Sequence, residues 1–283
     1  MTLHLASGTR ALIALVGAGS VTLGATLLGS TPPSGASTHT GTVKVLAAGS
    51  LSNVTTLLGA AFKKSTGDTL QVTLMGSTAI ATGIQSKTLL GDVFLSASVG
   101  ADQALEGASH GNWITHYSTF GTSPDVLAYS PHSPFARALR TTPWYDVIAS
   151  PRFELGRTDP TVDPGGVLDL DALKGIGYAY NMPALLSIAA SSRNVYGEVA
   201  LPGLLQAGQL DGAFMYAVAA RAAGLPFVTL SGTRNLAADY TLAILKGAPD
   251  PQAANAFVTW LHSARARAIL VSQGLAVAPA RAS

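Results

Sequence analysis

Two short loops carry hydroxyl groups where an anion can be held: Ala48-Gly49-Ser50-Leu51 and Met75-Gly76-Ser77-Thr78. Each follows a β-like run (43–47 and 69–74), and each precedes a helix-like run, around 52–64 and 79–87. A strand that ends in Gly-Ser and turns into a helix sets a hydroxyl beside unpaired N–H groups and the partial positive charge of a helix N-terminus. Taken singly, either Gly-Ser reads as an ordinary N-cap. Taken together, two such ends at one sheet edge suit a single oxyanion. Neither loop contains Arg or Lys, so the donors are hydroxyls and peptide N–H groups.

A second candidate region is the turn-rich segment from Gly156 to Gly166, with Asp159, Asp163, Pro164, Gly165 and Gly166. Proline and paired glycines suit a backbone that approaches something closely. The same residues describe equally a plain surface loop in which Asp163 caps a turn. Tyr216 ends an apolar strand and presents a phenol either to a cleft or to packing. Glu198 reads as a first-turn acid favoured by its helix dipole.

The elements that position these residues alternate. From residue 43 the pattern is strand 43–47, helix 53–64 stopped by Gly67, strand 69–74, strand 92–96 and helix 102–108. Such alternation predicts an α/β domain with a largely parallel sheet. A strand at 126–129, between Pro124 and Pro131, is where the chain is expected to cross into a second lobe. That lobe holds helices near 144–150, 168–180 and 199–207, and strands near 153–156, 213–216 and 227–230. The chain then recrosses through a strand at 240–245 and closes with helices over 251–263 and 264–273. The predicted division is lobe 1 from 43–124 and 235–283, and lobe 2 from 125–234. In open parallel sheets ligands sit outside the carboxyl ends of the strands, where both Gly-Ser pairs fall.

Composition narrows the classes. The hydrophobic fraction of 48% supports a large core over 283 residues. A net charge of +2, with no basic cluster carrying interleaved aromatics, gives no support for a nucleic-acid partner. Without cysteine there is no disulfide, thiolate site or lipid-bearing N-terminal cysteine. Arg10, an apolar stretch over 11–28 and the exit Ser34-Gly35-Ala36 describe a secretory leader over 1–36. The alternative is a retained anchor, but Gly17, Gly19 and Gly24 interrupt a run near the lower limit for a span. A polar linker over 37–42 follows, and the mature protein is expected in the periplasm or outside the cell.

The segments Ala48-Gly49-Ser50-Leu51, Gly76-Ser77, Gly91-Asp92-Val93-Phe94-Leu95-Ser96-Ala97, Asp159-Pro160-Thr161-Val162-Asp163-Pro164-Gly165-Gly166 and Leu205 to Tyr216 occur in that order. Together they resemble the molybdate/tungstate-binding proteins of ABC importers, within the periplasmic solute-binding proteins, over roughly 43–275. The resemblance implies an α/β, two-lobed fold of the periplasmic-binding-protein type, with two chain crossings forming a hinge and a central cleft. It implies ligand donors from Ser50 and Ser77 in lobe 1, and from the Pro164–Gly165 backbone and Tyr216 in lobe 2. Asp163 stands where a carboxylate approaches the ion. The position of a second carboxylate, which would raise the coordination to six, falls just before the tyrosine and holds Met215, with Glu198 the weaker substitute. A tetrahedral oxyanion held mostly by neutral donors is therefore expected. The resemblance further implies a membrane permease as partner, a monomer, and no cofactor beyond the bound ion.

Molybdate, tungstate and sulfate are fully deprotonated near neutral pH and need donors only. Phosphate keeps a proton and needs an acceptor, for which Asp163 is available. Sulfate or phosphate binding thus stands as an alternative within the same fold. A secreted hydrolase is the alternative from another class. Against it, no histidine pair, base or nucleophile accompanies Asp159 and Asp163, and neither serine sits in a Gly-x-Ser-x-Gly elbow. The expectation is a protein that is not an enzyme. A sensor that reports ligand to a membrane kinase would share the fold.

Overall fold

The computed structural model describes residues 40–234 and 236–277. The expected leader over 1–36 lies outside these residues. The strands are β1 (Thr42–Ala48), β2 (Thr69–Met75), β3 (Val93–Ser96), β4 (Ser118–Tyr129), β5 (Leu155–Gly156), β6 (Gly212–Tyr216), β7 (Phe227–Thr229) and β8 (Ala237–Ile244). The helices are α1 (Ser52–Thr66), α2 (Ser77–Gln85), α3 (Val99–Gln103), α4 (Ala136–Thr141), α5 (Trp144–Ile148), α6 (Pro164–Ala179), α7 (Pro183–Ala190), α8 (Leu201–Gln206), α9 (Ala217–Ala222), α10 (Pro251–Leu261) and α11 (Ala264–Ser272). Thr42, expected in the linker, already pairs with Thr69.

The strands follow the order β2-β1-β3-β8-β4-β6-β5, with β7 also on β4. β1 runs parallel to β2 and β3, and β8 runs antiparallel to β3. β4 joins the two lobes because it changes partner along its length. Ser118–Pro124 pairs with β8, while Asp125–Tyr129 pairs with β6. The sequence pattern caught only the apolar second half of this strand. The polar first half, Ser118 to Pro124, lacks the hydrophobic run that marks a strand and carries a register shift between Thr119 and Gly121.

Each half of the sheet buries both faces. In lobe 1, Val45, Leu58, Phe62 and Phe257 pack on one side, with Phe62 and Phe257 edge to face at 5.3 Å. Leu46, Ile80, Phe94 and Leu105 fill the other side. In lobe 2, Leu127, Trp144, Ile176 and Phe214 oppose a second cluster of Val126, Leu201, Leu205 and Met215. The period of two in β6 divides its residues between these layers: Phe214 goes to one, and Ala213 and Met215 to the other. Burying this apolar area stabilises the fold by roughly 25 cal/mol per Å².

Several elements differ from the sequence pattern. The helix expected over 168–180 begins at Pro164. Proline is favoured at a first helical position, and Asp163 caps it by accepting from Gly165 N at 2.8 Å. The two glycines, poor helix formers, hid this first turn. The helix expected over 102–108 instead starts at Val99 and stops at Gln103, before Gly107 at φ +82°. α4, α7 and α9 have no counterpart in the sequence pattern. α9 follows Tyr216 directly, so the end of the strand is also the start of a helix. Among the described residues no helix is long and apolar enough to cross a membrane.

Candidate anion-binding site

β1 and β2 are parallel neighbours in a register that pairs Ala48 with Met75. Gly49-Ser50 and Gly76-Ser77 therefore leave the same edge of the sheet. Neither serine caps its helix by a side-chain bond. Ser50 Oγ accepts from the Tyr240 hydroxyl at 3.0 Å, and Ser77 Oγ accepts from Ala97 N at 2.9 Å. Ser77 keeps its own O–H for donation, that of Ser50 meets the Glu198 carboxyl, and both residues are buried. The N-cap reading of these serines is thus not the one the geometry adopts.

The facing lobe meets this edge through backbone and side chain. Ala79 N donates to Val162 O at 3.0 Å. Ser50 N donates to Glu198 Oε1 at 2.8 Å. Glu198 does stand in a first turn, that of the short 3-10 segment Glu198–Ala200. Its carboxyl, however, lies on the opposite lobe, against Gly49 and Ser50. The N–H groups that begin the helical segment of lobe 1 are thereby met by an acid of lobe 2.

Asp163, Gly165 and Tyr216 line one small cavity of about 10 Å³, together with Asp125, Asp169 and Glu198. Ser50 joins this group through Glu198 and through Tyr240, whose ring stands edge-on to Tyr216 at 5.9 Å. Ser77 does not line the cavity. Its neighbours Thr78 and Ala97 line an adjoining cleft of about 410 Å³ that also reaches Pro164 and Tyr216. Several deeply buried polar atoms here have no partner in the protein: Tyr216 OH, Thr158 Oγ1, Asp163 Oδ2 and both oxygens of Asp125. Buried polar groups are almost always hydrogen-bonded, so the Tyr216 hydroxyl stands as a donor left for a ligand, whereas the carboxyl oxygens call for a proton or a donor.

The charges are unequal. Burial pushes Asp163 up to about 6, against the opposing pull of the Gly165 N–H. Burial likewise raises Asp125, Asp169 and Glu198 well above the usual carboxylate range, and the neighbouring acid in each case raises it further. Burial and the nearby tyrosine and acids raise the Tyr216 phenol, which stays protonated and available as a donor. Arg157 is the only Lys or Arg buried among the described residues. Its guanidinium donates to Ser191 O at 2.7 Å and to Thr158 O at 3.1 Å, and Asp169 and Asp159 counter the lowering that burial imposes on it. Asp159 itself only organises its turn, accepting from Thr161 N and Oγ1 at 2.9 and 2.7 Å. Among the described residues no group of three His, Asp or Glu is arranged to hold a metal ion.

Sequence reasoning missed Asp125, Asp169, Arg157, Tyr240 and the reach of Glu198. Signals existed for two of them. Asp125 is an acid at the head of the apolar run Val126-Leu127-Ala128, and Asp169 interrupts Val167-Leu168 and Leu170 on α6. Met215 packs with Leu201 and Leu205 and gives the cavity an apolar wall.

Similarity to known proteins bears on the family and the fold. The model of a family described as bacterial extracellular solute-binding protein matches residues 43–276. A putative ABC transporter molybdenum-binding protein of Haloferax volcanii is 30% identical over 257 residues, covering 89% of this chain and 75% of that protein. The molybdate/tungstate-binding protein WtpA of Thermococcus kodakarensis is 25% identical over 150 residues, 44% of this chain and 42% of that one. Among solved structures, a periplasmic molybdate-binding protein of Azotobacter vinelandii superposes with a TM-score of 0.67 at 17% identity, covering 83% of this chain and 99% of that chain. At that identity the likeness bears on the fold alone.

Proposed function

The chain belongs to the bacterial extracellular solute-binding protein family, and we propose that it captures molybdate or tungstate and delivers it to the membrane permease of an ABC importer. The observation that carries this reading is that the two Gly-Ser strand ends of lobe 1 meet lobe 2 at Glu198 and at the Val162-Asp163 backbone, beside the cavity lined by Asp163, Gly165 and Tyr216. Ser50, Ser77, Gly165 and Tyr216 act as donors, and Asp163 borders the ion. The lobes, divided as 43–124 with 235–283 and 125–234, part to admit the ion and close over it. Closure assembles donors from both sides, so binding and the shape recognised by the permease arise in one motion. Residues 1–36 act as the export leader, and the mature protein works as a periplasmic or extracellular monomer without a cofactor.

Phosphate is the second reading, favoured by one observation. The cavity offers carboxyl groups as acceptors for an anion that keeps a proton. A melting-temperature panel with molybdate, tungstate, sulfate and phosphate decides between them. A ligand at 100 times its Kd stabilises by roughly 2.7 kcal/mol, which a melting curve resolves. A shift with molybdate or tungstate and none with phosphate is expected. A shift with phosphate alone would move the function to phosphate capture.

Ser50→Ala and Ser77→Ala are each expected to weaken binding by roughly 1–3 kcal/mol, the scale of a lost hydrogen bond to a charged group. Ser50→Ala also leaves the Tyr240 hydroxyl without its acceptor, so its effect falls toward the upper end. Unchanged affinity in both variants by titration calorimetry would remove these serines from the site.

A further inference from the structure

The two lobes touch on one side of Ser77 and stand apart on the other. On the touching side Ala79 N reaches Val162 O at 3.0 Å, and a Cβ on Gly76 would stand 2.3 Å from the same oxygen. On the other side lies the cleft of about 410 Å³. The cleft is not a product of parted lobes, since it persists where they are already hydrogen-bonded. Its walls are helix faces, one from each lobe. Thr78, Ala81, Thr82 and Gln85 follow helical spacing along α2, and Val167 and Leu168 lie in the first turns of α6.

These walls are apolar in effect. Thr82 Oγ1 donates to Thr78 O at 3.0 Å and Gln85 Nε2 to Ala104 O at 2.7 Å, so their donors are spent inside the protein. Val167, 45% exposed, gives its surface to this space. Asp239, exposed, is the charged residue of the lining. The end toward the anion site differs. Tyr216 is 2% exposed and lines both this cleft and the small cavity, and its hydroxyl has no hydrogen-bond partner in the protein. Ser77 keeps its O–H while accepting from Ala97 N at 2.9 Å, and Ala97 lines the cleft. α2 begins at Ser77, so the partial positive charge of its N-terminus falls at the same end. Donors for an anionic head therefore open directly onto an apolar hollow.

We propose that the cleft also takes organic sulfonates, the sulfonate head held by the Ser77 and Tyr216 hydroxyls and its alkyl or aryl group lying between α2 and α6. The inference rests on the oxyanion reading above, because the head uses the same donors. A sulfonate is ionised near neutral pH and carries acceptor oxygens without a proton, so it needs donors only. Its single charge costs less beside Asp163 and Glu198 than the double charge of an inorganic oxyanion. An inorganic ion ends at its oxygens and leaves the cleft to water. A carbon substituent instead covers the apolar walls, and the volume falls in the range of about 300–1,000 Å³ usual for small-molecule sites.

The test is titration calorimetry of the full chain with methanesulfonate, butanesulfonate and molybdate, singly and in competition. Butanesulfonate is expected to bind more tightly than methanesulfonate, by roughly fourfold for each added methylene, and to displace molybdate. Thr82→Phe supplies a second readout. Thr82 is exposed and its hydroxyl bonds only within its own helix, so the fold stands while the ring occupies the cleft. The variant is expected to weaken butanesulfonate by about tenfold or more, the scale of the lost methylene contacts, and to hold molybdate within about twofold. Molybdate binding without butanesulfonate binding, equal affinities for the two sulfonates, or an equal loss of both ligands in Thr82→Phe would overturn the inference while leaving molybdate capture standing. Butanesulfonate binding without molybdate or tungstate binding would uphold the subsite and overturn the inorganic-ion reading. Binding of none of these ions would overturn the oxyanion reading, and this inference with it.

Discussion

Gly76→Ala is expected to abolish tight ligand binding while leaving the fold in place. Gly76 adopts φ −60°, ψ 139°, which any residue tolerates, so the constraint is space and not backbone freedom. A Cβ at this position would stand 2.3 Å from Val162 O, 3.0 Å from Val162 C and 3.1 Å from Asp163 Cα. All three are backbone atoms of the opposite lobe and cannot swing aside as a side chain does. The lobes must therefore sit further apart, which lengthens the Ala79 N to Val162 O bond of 3.0 Å and draws the lobe 2 donors Gly165 and Tyr216 away from the Gly-Ser edge. Losing two donor contacts to a charged ligand, at about 1.5–3 kcal/mol each, corresponds to an affinity loss of about 100-fold or more. Within lobe 1 the change replaces a tolerated cap residue at the start of α2, worth about 1 kcal/mol. Titration calorimetry with molybdate, alongside the melting temperature of the ligand-free protein, separates the two effects. Near-wild-type affinity in Gly76→Ala would mean that the lobes need not approach this closely to hold the ion.

The contrast between Gly76 and Glu198 shows where the sequence was legible. Gly76-Ser77 was readable because its signal is local: a β-like run, a Gly-Ser step and a helical period occupy consecutive residues, and the physics of helix ends acts over the same few positions. The parallel pairing of β1 and β2, which brings the two ends together, follows from the alternation of strand and helix. Asp163 and Tyr216 were readable for the same reason, although the turn-rich segment proved to be a helix start whose Pro-Gly-Gly hides the helical period.

The acids and the cation behind them were not readable in this way. Glu198 meets Ser50 across 148 residues and Tyr240 meets Ser50 across 190. Nothing in either neighbourhood indicates the partner, because these contacts exist only once β4 has changed partner and the lobes face one another. Asp125 and Asp169 are polar residues at positions where the period asks for apolar ones. Local and global preferences conflict at such positions, and conflicts of this kind concentrate where a protein stabilises something other than itself.

Arg157→Leu is expected to show how far that conflict depends on a single cation. Arg157 is 4% exposed, and its guanidinium holds Ser191 O and Thr158 O while facing Asp169. Leucine fills part of the volume but leaves those carbonyls without their donor and Asp169 without a counter-charge. Removing one partner of a buried ionic cluster destabilises by about 3–5 kcal/mol, whatever the net worth of the intact cluster. For a protein of this size that corresponds to a fall of roughly 6–20 °C in melting temperature. The loss should depend on pH with a definite sign. Asp169 is raised well above its unfolded value by burial, and Arg157 is one of the groups holding it down. A carboxyl raised in the folded state is harmless below its unfolded pKa and withdraws stability as pH climbs toward the folded one. Without Arg157 the folded value climbs further, so the window over which stability is withdrawn widens upward. Below that window, neutral acids leave Arg157 with less to compensate and its loss matters less. Urea denaturation at pH 5 and pH 8 should therefore show the larger deficit at pH 8. A deficit below about 1 kcal/mol, or one equal at the two pH values, would mean that the acids of the cavity balance one another through shared protons alone, with the guanidinium serving only its carbonyls.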